Sequence, residues 1–294
     1  MEQFYKIAEL SRQGFHKWRN PKPSTLERTP EDMALDLAKH IRKDYLPGFS
    51  ARMIYDFIRN SDEYDPLLKG WGKHTFEKLC LSNGLRLVKP RPYIKTTQRG
   101  SYMFPNLISN MTIDNINRIW VSDMCYVFNS AHFPIGYATT MMDVYSRRLL
   151  GLTFSQRLTT EQTCQVVIDQ AINTRGIAKY DNLIFHSDGG KQYIETNFIS
   201  TLRKHKIKSS MAYNALENGF AESLNDVLKN SYVRGLDVNS FNELKNNEEF
   251  IKYSYNHYKP HSGIDKYNPI KYEQYISTLQ QCQRTKLLIK EISK

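Results

Sequence analysis

From Arg118 onward the chain sets out three strand-like runs in succession and then alternates helix and strand, and this order restricts the fold more than any other feature. Ile119 to Val127 (IWVSDMCYV) is rich in β-formers. Pro134 to Val144 and Arg147 to Phe154 follow across short turns, which predicts an antiparallel meander. Thr159 to Asn173 reads as a helix, Asn182 to Phe185 as a short apolar strand and Glu195 to His205 as a helix. Ile207 to Met211 reads as a strand and Leu216 to Tyr232 as an amphipathic helix. The expected fold class is α/β, with a mixed five-stranded sheet flanked by helices.

Three acids stand out by their setting. Asp123 lies mid-strand among apolar neighbours, where a charge is costly unless paired or metal-bound. Asp188 follows the NLIF strand in HSDGGKQY; Gly189 and Gly190 let the backbone turn where open sheets hold their ligands. Glu222 sits in ENGFAESLNDVLKN on the last helix of the set. Hard cations such as Mg²⁺ take carboxylate oxygens. Two carboxylates from strands facing one from a helix can bracket two such ions for an in-line phosphoryl displacement. Chemistry alone leaves other readings open, because most acids are solvated surface charges. Asp143, in MMDVYSRR, is the nearest decoy and reads as structural, engaging nearby Ser146 or Arg147.

The 294 residues, 40% hydrophobic and 12% aromatic, suffice for a core of ordinary size plus small modules and exclude disorder of the whole chain. A net charge of +11 points to a polyanion, of which nucleic acid is the commonest. Cys80, Cys125, Cys164 and Cys282 are scattered without a CxxC pair, so neither a disulfide framework nor a structural zinc site follows, and a reducing cytoplasm is the simplest setting. MEQFYKIAELSRQ lacks the apolar segment of a signal peptide, and no run reaches membrane-span length.

Upstream of the strands, residues 1–30 carry a short helix at Ile7 to Arg19, with Ser11 as N-cap and Phe15 and Trp18 inward, resembling the end of a helix-turn-helix; Pro21, Pro23 and Pro30 mark a linker. Residues 31–88 hold three apolar stripes: Ala34, Ala38 and Ile41; Met53, Ile54, Phe57 and Ile58; Phe76, Leu79 and Cys80, with Gly84 placed as a C-cap. They predict a helix-turn-helix DNA-binding module, with a generic three-helix bundle as the plainer reading. Residues 89–117 form a basic linker. The run RLVKPRPYIKTTQRG around its start carries Arg86, Lys89, Arg91, Lys95 and Arg99 and no acid, as expected of a strap along a DNA backbone or of a solvated tether. Residues 118–235 hold the sheet, and 236–294 a helical extension.

Five blocks in order resemble the catalytic protein of the IS-three family of bacterial insertion sequences, whose core is of the retroviral-integrase type. They are WVSDMCYV, GYATTMMDVYSRRLLG, HSDGGKQY, NGFAESLNDVLKN and YNHYKPHSGIDKYNP. NGLRLVKPR further resembles the end of that family's second helix-turn-helix, so the likeness spans nearly the whole chain. The resemblance implies an RNase H-like core in which Asp123, Asp188 and Glu222 form a DDE triad holding two Mg²⁺ ions, with Mn²⁺ as a substitute. The implied activity is DNA transposition: cleavage at transposon ends and transfer of the 3′-hydroxyl into DNA. Lys229, seven positions after Glu222, falls on the same helix face and is implied to contact the transposon end as a point charge. Lys259 and His261, in the Lys-Pro-His that stands for the usual Arg-Pro-His, join the basic linker residues as expected DNA contacts. His186 and Ser187 read as shaping the turn before Asp188, although His186 could also reach DNA. The implied partners are terminal repeats and target DNA, further copies of the chain, and the product of an upstream reading frame; the implied setting is cytoplasmic and nucleoid-associated, with no membrane.

The sequence departs from the pattern at Cys125, where Thr is usual, and in the stretch from Asp188 to Glu222, which is slightly short near Tyr213 and Asn214. These bear on end preference rather than chemistry. The stub at Ser11 to Arg19 fits the hypothesis of a downstream-frame product. Three other readings compete. A domesticated DNA-binding regulator has no need of all three acids. A simple RNase H-like nuclease needs neither the helical module nor YNHYKPHSG. A tyrosine recombinase is suggested only by His16-Lys17-Trp18-Arg19.

Overall fold

The computed structural model describes residues 29–87, 104–129, 133–213 and 215–290. The expected helix at Ile7 to Arg19 and most of the basic linker lie outside them. In the upstream module, α1 (Pro30–Asp44) opens on a capping box in which Thr29 and Asp32 satisfy each other's backbone donors, and Pro30 fills the first turn. Its buried stripe is Ala34, Leu37, Ala38 and Ile41. Ser50 caps α2 (Ala51–Arg59), which buries Ile54 and Ile58; α3 (Lys73–Ser82) buries Phe76 and Cys80. Past α3, Gly84 is left-handed at φ 78°, and the Leu85 N–H returns to the Cys80 carbonyl at 2.9 Å, closing the helix as the sequence leads one to expect.

The sheet contains β2 (Ile119–Phe128), β3 (Pro134–Asp143), β4 (Leu149–Ser155), β5 (Ile184–Ser187) and β6 (Lys208–Met211), in spatial order β4-β3-β2-β5-β6. The first three form the antiparallel meander; β5 and β6 run parallel to β2. Parallel strands need crossovers, supplied by α4 (Cys164–Arg175) and α5 (Thr196–Lys204). This is the RNase H-like arrangement. One face, with Trp120, Met141, Leu150 and Phe185, packs on α4 and α5. The other, with Ile119, Val121 and Ile184, packs on α6 (Gly219–Val227) and shares a continuous core with the upstream module.

The expected helix at Thr159 to Asn173 begins only at Cys164 and the strand at Arg147 to Phe154 at Leu149, and two further elements differ from expectation for a visible reason. The strand expected at Asn182 to Phe185 begins at Ile184 and runs on to Ser187. Asn182 takes a left-handed turn at φ 64°, and pairing starts only where the Arg118 carbonyl accepts the Ile184 N–H. The helix expected from Leu216 to Tyr232 is α-helical only over α6; Leu228–Val233 then widens into a π turn that sends Leu228, Tyr232 and Val233 inward.

The C-terminal part contributes α7 (Phe241–Asn246), α8 (Glu248–His257) and α9 (Pro269–Ser277), then β7 (Leu287–Leu288), which pairs with β1 (Thr112–Ile113). Strand β4 is an edge, a liability if left open. Side chains close it. Asn256 bonds both the N–H and the carbonyl of Leu149 at 2.9 Å, Gln170 accepts from Leu152 and Glu248 from Phe154. Asp143 is structural, as expected. It accepts from the backbone of Asn117, Tyr145 and Ser146, but its ionic partner is Arg175 at 3.1 Å rather than Arg147. Arg147 has a left-handed backbone, φ 62°, and extends over Phe220 instead. Among the described residues no helix is long and apolar enough to cross a membrane.

The upstream module meets the core backbone to backbone. A Cβ at Gly235 would lie 2.4 Å from the Gly48 nitrogen, and one at Gly48 2.2 Å from the Ser231 carbonyl oxygen. Gly235→Ala is therefore expected to destabilise the protein by about 1–3 kcal/mol. Gly219→Ala, which meets open space, should change it by less than about 0.5 kcal/mol. Urea unfolding of the two variants measures both.

Candidate active site

The β2–β5 register builds the site. Ile119 pairs with Ile184, Trp120 with Phe185 and Val121 with His186, a constant offset of 65 positions. Carried two residues on, it sets Asp123 beside Asp188. Side chains alternate along strands, so both acids share the face of Val121 and Ile184, the face that α6 covers. Glu222 lies in the first turn of α6, exposed at the edge of the same cleft.

The electrostatics show the crowding. The half-buried Asp123 carboxyl is pushed up to about 7, first by burial, then by the charge of Asp188, with Glu222 adding a smaller push. A backbone hydrogen bond at Met124 and the Asn225 amide oppose this. Burial also raises Asp188, against the Gly190 N–H that donates to its Oδ1 at 3.1 Å. Like charges at close range resist ionising together; a divalent cation among them would remove that penalty. Three hard carboxylate oxygens suit such an ion. Among the described residues no group of three His, Cys, Asp or Glu side chains is gathered closely enough to hold a metal ion as the side chains stand. Asp123 and Asp188 are turned onto their own donors, and Glu222 stands out toward solvent.

Several positioning residues escape a reading of the sequence. Asn225, 2% exposed, donates through Nδ2 to Asp123 Oδ2 at 2.8 Å, while its Oδ1 accepts from Thr140 on β3 at 3.4 Å. The amide is thereby oriented by the strand that flanks β2. Asn225 is one turn after Glu222 on the same helix face, and that spacing was the available signal. Asn218 ties the start of α6 to the Ser122 carbonyl at 3.2 Å. Ser122 itself bonds Tyr193 at 2.9 Å and the Thr140 carbonyl at 2.6 Å. His186 is fully buried, its Nδ1 2.9 Å from the Ser210 hydroxyl. Burial depresses it to about 4, so it stays neutral near pH 7. Its Nε2 has no hydrogen-bond partner among the described residues, and full burial makes His186 part of the packing beneath the site rather than a surface contact.

Comparison with known proteins identifies the family. The integrase core domain family matches residues 114–214, a span holding Asp123 and Asp188 and ending before Glu222. The transposase for insertion sequence element IS904 of Lactococcus lactis subsp. lactis (strain IL1403) is 30% identical over 59% of this chain and 68% of its own. The chain belongs to the insertion-sequence transposases of the IS-three family. Transposase InsF for insertion sequence IS3A of Escherichia coli (strain K12) is 22% identical over 91% of this chain and 92% of its own. The uncharacterized 31 kDa protein of insertion element IS600 of Shigella sonnei is 25% identical over 90% and 95%.

The other residues singled out in the transposase sequence fall in different places. Lys229, on the π turn, lies on the carboxylate side: its charge acts on Cys125 of β2, and its Nζ is 3.8 Å from Asp226. Arg86 is exposed and, with Lys39, Arg42, Lys43 and Arg234, surrounds a cleft of about 540 Å³ that has no acid in its lining. Lys89, Arg91, Lys95 and Arg99 lie outside the described residues. Lys259 and His261 are not on the outer surface at all. They are 6% and 9% exposed and line a partly open cavity behind α6. Cys125, where Thr is usual, is pushed up to about 12 by burial and stays a thiol.

The raised Asp123 carries a sign for stability. Its folded value lies above the ordinary carboxylate value near 4, so the folded state holds this proton while the unfolded chain has lost it. In metal-free protein this contribution is fully present below about pH 4 and is lost as pH rises toward about 7. Asp123→Asn removes the charge and keeps an acceptor for Asn225. The variant should gain about 1–2 kcal/mol over wild type at pH 8 in EDTA, with little gain at pH 4. Mg²⁺ should raise the melting temperature of wild type and not of the variant. Thermal melts at the two pH values, with and without Mg²⁺, measure both.

Proposed function

We propose that this transposase cuts and joins DNA at a single metal-dependent site in which Asp123, Asp188 and Glu222 are the ligands of two Mg²⁺ ions, with Mn²⁺ able to replace them. The observation that carries the reading is the β2–β5 offset, which sets Asp123 beside Asp188 on the face covered by the Glu222 helix. Bound there, the cations supply Lewis-acid stabilisation of the attacking and leaving oxygens. Asn225 and the Gly190 N–H fix the orientation of the Asp123 and Asp188 carboxylates. In the first reaction a water oxygen bonds to phosphorus at the transposon end as the P–O3′ bond breaks, releasing a 3′-hydroxyl. In the second that hydroxyl attacks a phosphodiester in the same or another DNA and displaces another 3′ oxygen. No enzyme side chain joins the DNA covalently. The nearby candidates are unsuited, since the Cys125 thiol stays protonated and Tyr193 and Ser122 are buried against each other.

Duplex DNA, both terminal repeats and target, is the substrate. Lys229 and Arg86, the latter exposed and lining a basic cleft, are assigned to its phosphates, as are Lys89, Arg91, Lys95 and Arg99. Assembly of several copies on DNA, with an upstream-frame product as partner, completes the reading.

The test is strand transfer in Mg²⁺ on DNA carrying the element's own ends, with wild type and Glu222→Gln. The variant should lose about a hundred-fold or more of joining while binding DNA as wild type does. Equal joining by both would remove Glu222 from the site. If neither joins, even with the upstream-frame product added, the chain is better read as a DNA-binding regulator.

A further inference from the structure

A cavity of about 790 Å³ lies behind the Glu222 helix. Gly219, Phe220, Ser223, Leu224 and Val227 line it, a different face of α6 from that of Glu222, Asn225 and Lys229. Three donors converge on it from two loops. Arg147, on the β3–β4 turn, holds its guanidinium 4.3 Å over the Phe220 ring. Lys259 Nζ lies 5.6 Å over the Tyr255 ring, with only long contacts to the Pro260 carbonyl at 3.4 Å and His261 Nδ1 at 3.3 Å. If Nδ1 accepts from Lys259, the His261 proton sits on Nε2, a buried atom with no partner.

The acids nearby are engaged elsewhere. Asp56 is held by Lys73 and Lys266, Glu217 by Asn106 and the Tyr213 N–H, and Asp143 by Arg175. The cost of this arrangement is visible. Burial, then the charge of Arg147, pushes Lys259 down to about 7, and burial with both cations drives His261 well below its ordinary value. A buried lysine, a half-buried arginine and a free donor, with no anion paired to them among the described residues, are an expensive use of a protein interior. An oxyanion would relieve it.

The cavity is far larger than a phosphate and falls within the range of about 300–1,000 Å³ that organic ligands occupy. Met142, Leu224, Val227, Tyr255 and Ile289 make much of its wall apolar. An oxyanion attached to a flat, weakly polar group fits both halves, and Ser223 on the cavity wall directly follows Glu222. We propose that this cavity binds one nucleotide, its phosphate on Arg147, Lys259 and His261 and its base against the apolar wall, and that the nucleotide is extruded from DNA held at the active site. The source, though not the site, rests on the DNA-transposase reading above. It also gives the buried Lys259 and His261 a route to the DNA contact expected of them.

The test uses the full chain without divalent ions. Deoxyadenosine monophosphate, followed by calorimetry, should bind once per chain, with adenosine and inorganic phosphate each at least about ten-fold weaker. Lys259→Met should weaken the nucleotide by about ten-fold or more. Its melting temperature should be unchanged or higher, because an unpaired buried cation gives way to an apolar chain of similar length; a merely structural lysine would instead melt earlier. In a second arm, duplex DNA carries 2-aminopurine at a mismatch near one end. Its fluorescence should rise on binding wild type and not on binding Lys259→Met, with equal duplex affinity. Binding of the free nucleotide without the fluorescence rise would keep the site and overturn DNA as its source. No binding in either arm, with duplex affinity and Glu222-dependent joining intact, would overturn the site and leave the transposase reading standing.

Discussion

Everything at the candidate site hangs on one pairing, the parallel register of β2 with β5. A slip of one residue would turn Asp188 to the opposite face of the sheet, toward Trp120 and Phe185 and away from α6. The slip is prevented from both sides. Val121 and Ile184 belong to the core under α6, and Trp120 and Phe185 to the core under α4 and α5. Each packs only in the observed register. The carboxylates are thus placed by apolar packing strong enough to hold two mutually repelling acids together, and Asn225 and Gly190 then set their direction.

The helix that brings Glu222 is joined to the rest of the molecule at both ends. Asn218 pins its start to β2. At its far end the π turn delivers Gly235 to Gly48, where the upstream helical module rests its backbone on the core. Tyr45 of that module packs edge-on against Tyr258, and its carbonyl accepts from Ser254. A force on the upstream module therefore reaches α6 through close-packed backbone and rings rather than through a flexible tether. The basic cleft of Lys39, Arg42, Lys43, Arg86 and Arg234 sits at the same junction, so a phosphate backbone gripped there would press on the helix that carries Glu222.

Much of this was legible in the residues. The IWVSDMCYV strand, its two antiparallel successors and the later strand–helix alternation follow from local pattern, and an acid amid apolar strand residues is conspicuous because its burial is costly. The misses share a cause: they are set by tertiary partners far along the chain. Strand β5 starts at Ile184 because Arg118 offers a carbonyl there, not because the apolar run starts there. Asp143 engages Ser146 as its neighbourhood suggests, but its ionic partner is Arg175, 32 positions away, rather than Arg147, whose backbone points it elsewhere. Asn225 reads as an ordinary helix polar residue until Thr140 and Asp123 are brought to either end of its amide. Lys259 and His261 look like surface residues in a polar segment, yet the fold encloses them.

The most direct test of the central claim is anomalous diffraction at the manganese edge from crystals soaked in Mn²⁺. The account predicts anomalous density in the cleft, bridging the carboxylates of Asp123 and Asp188 and drawing in Glu222. Manganese bound elsewhere with that cleft empty would contradict it, because the acids gathered by the β2–β5 register would then have some purpose other than holding metal.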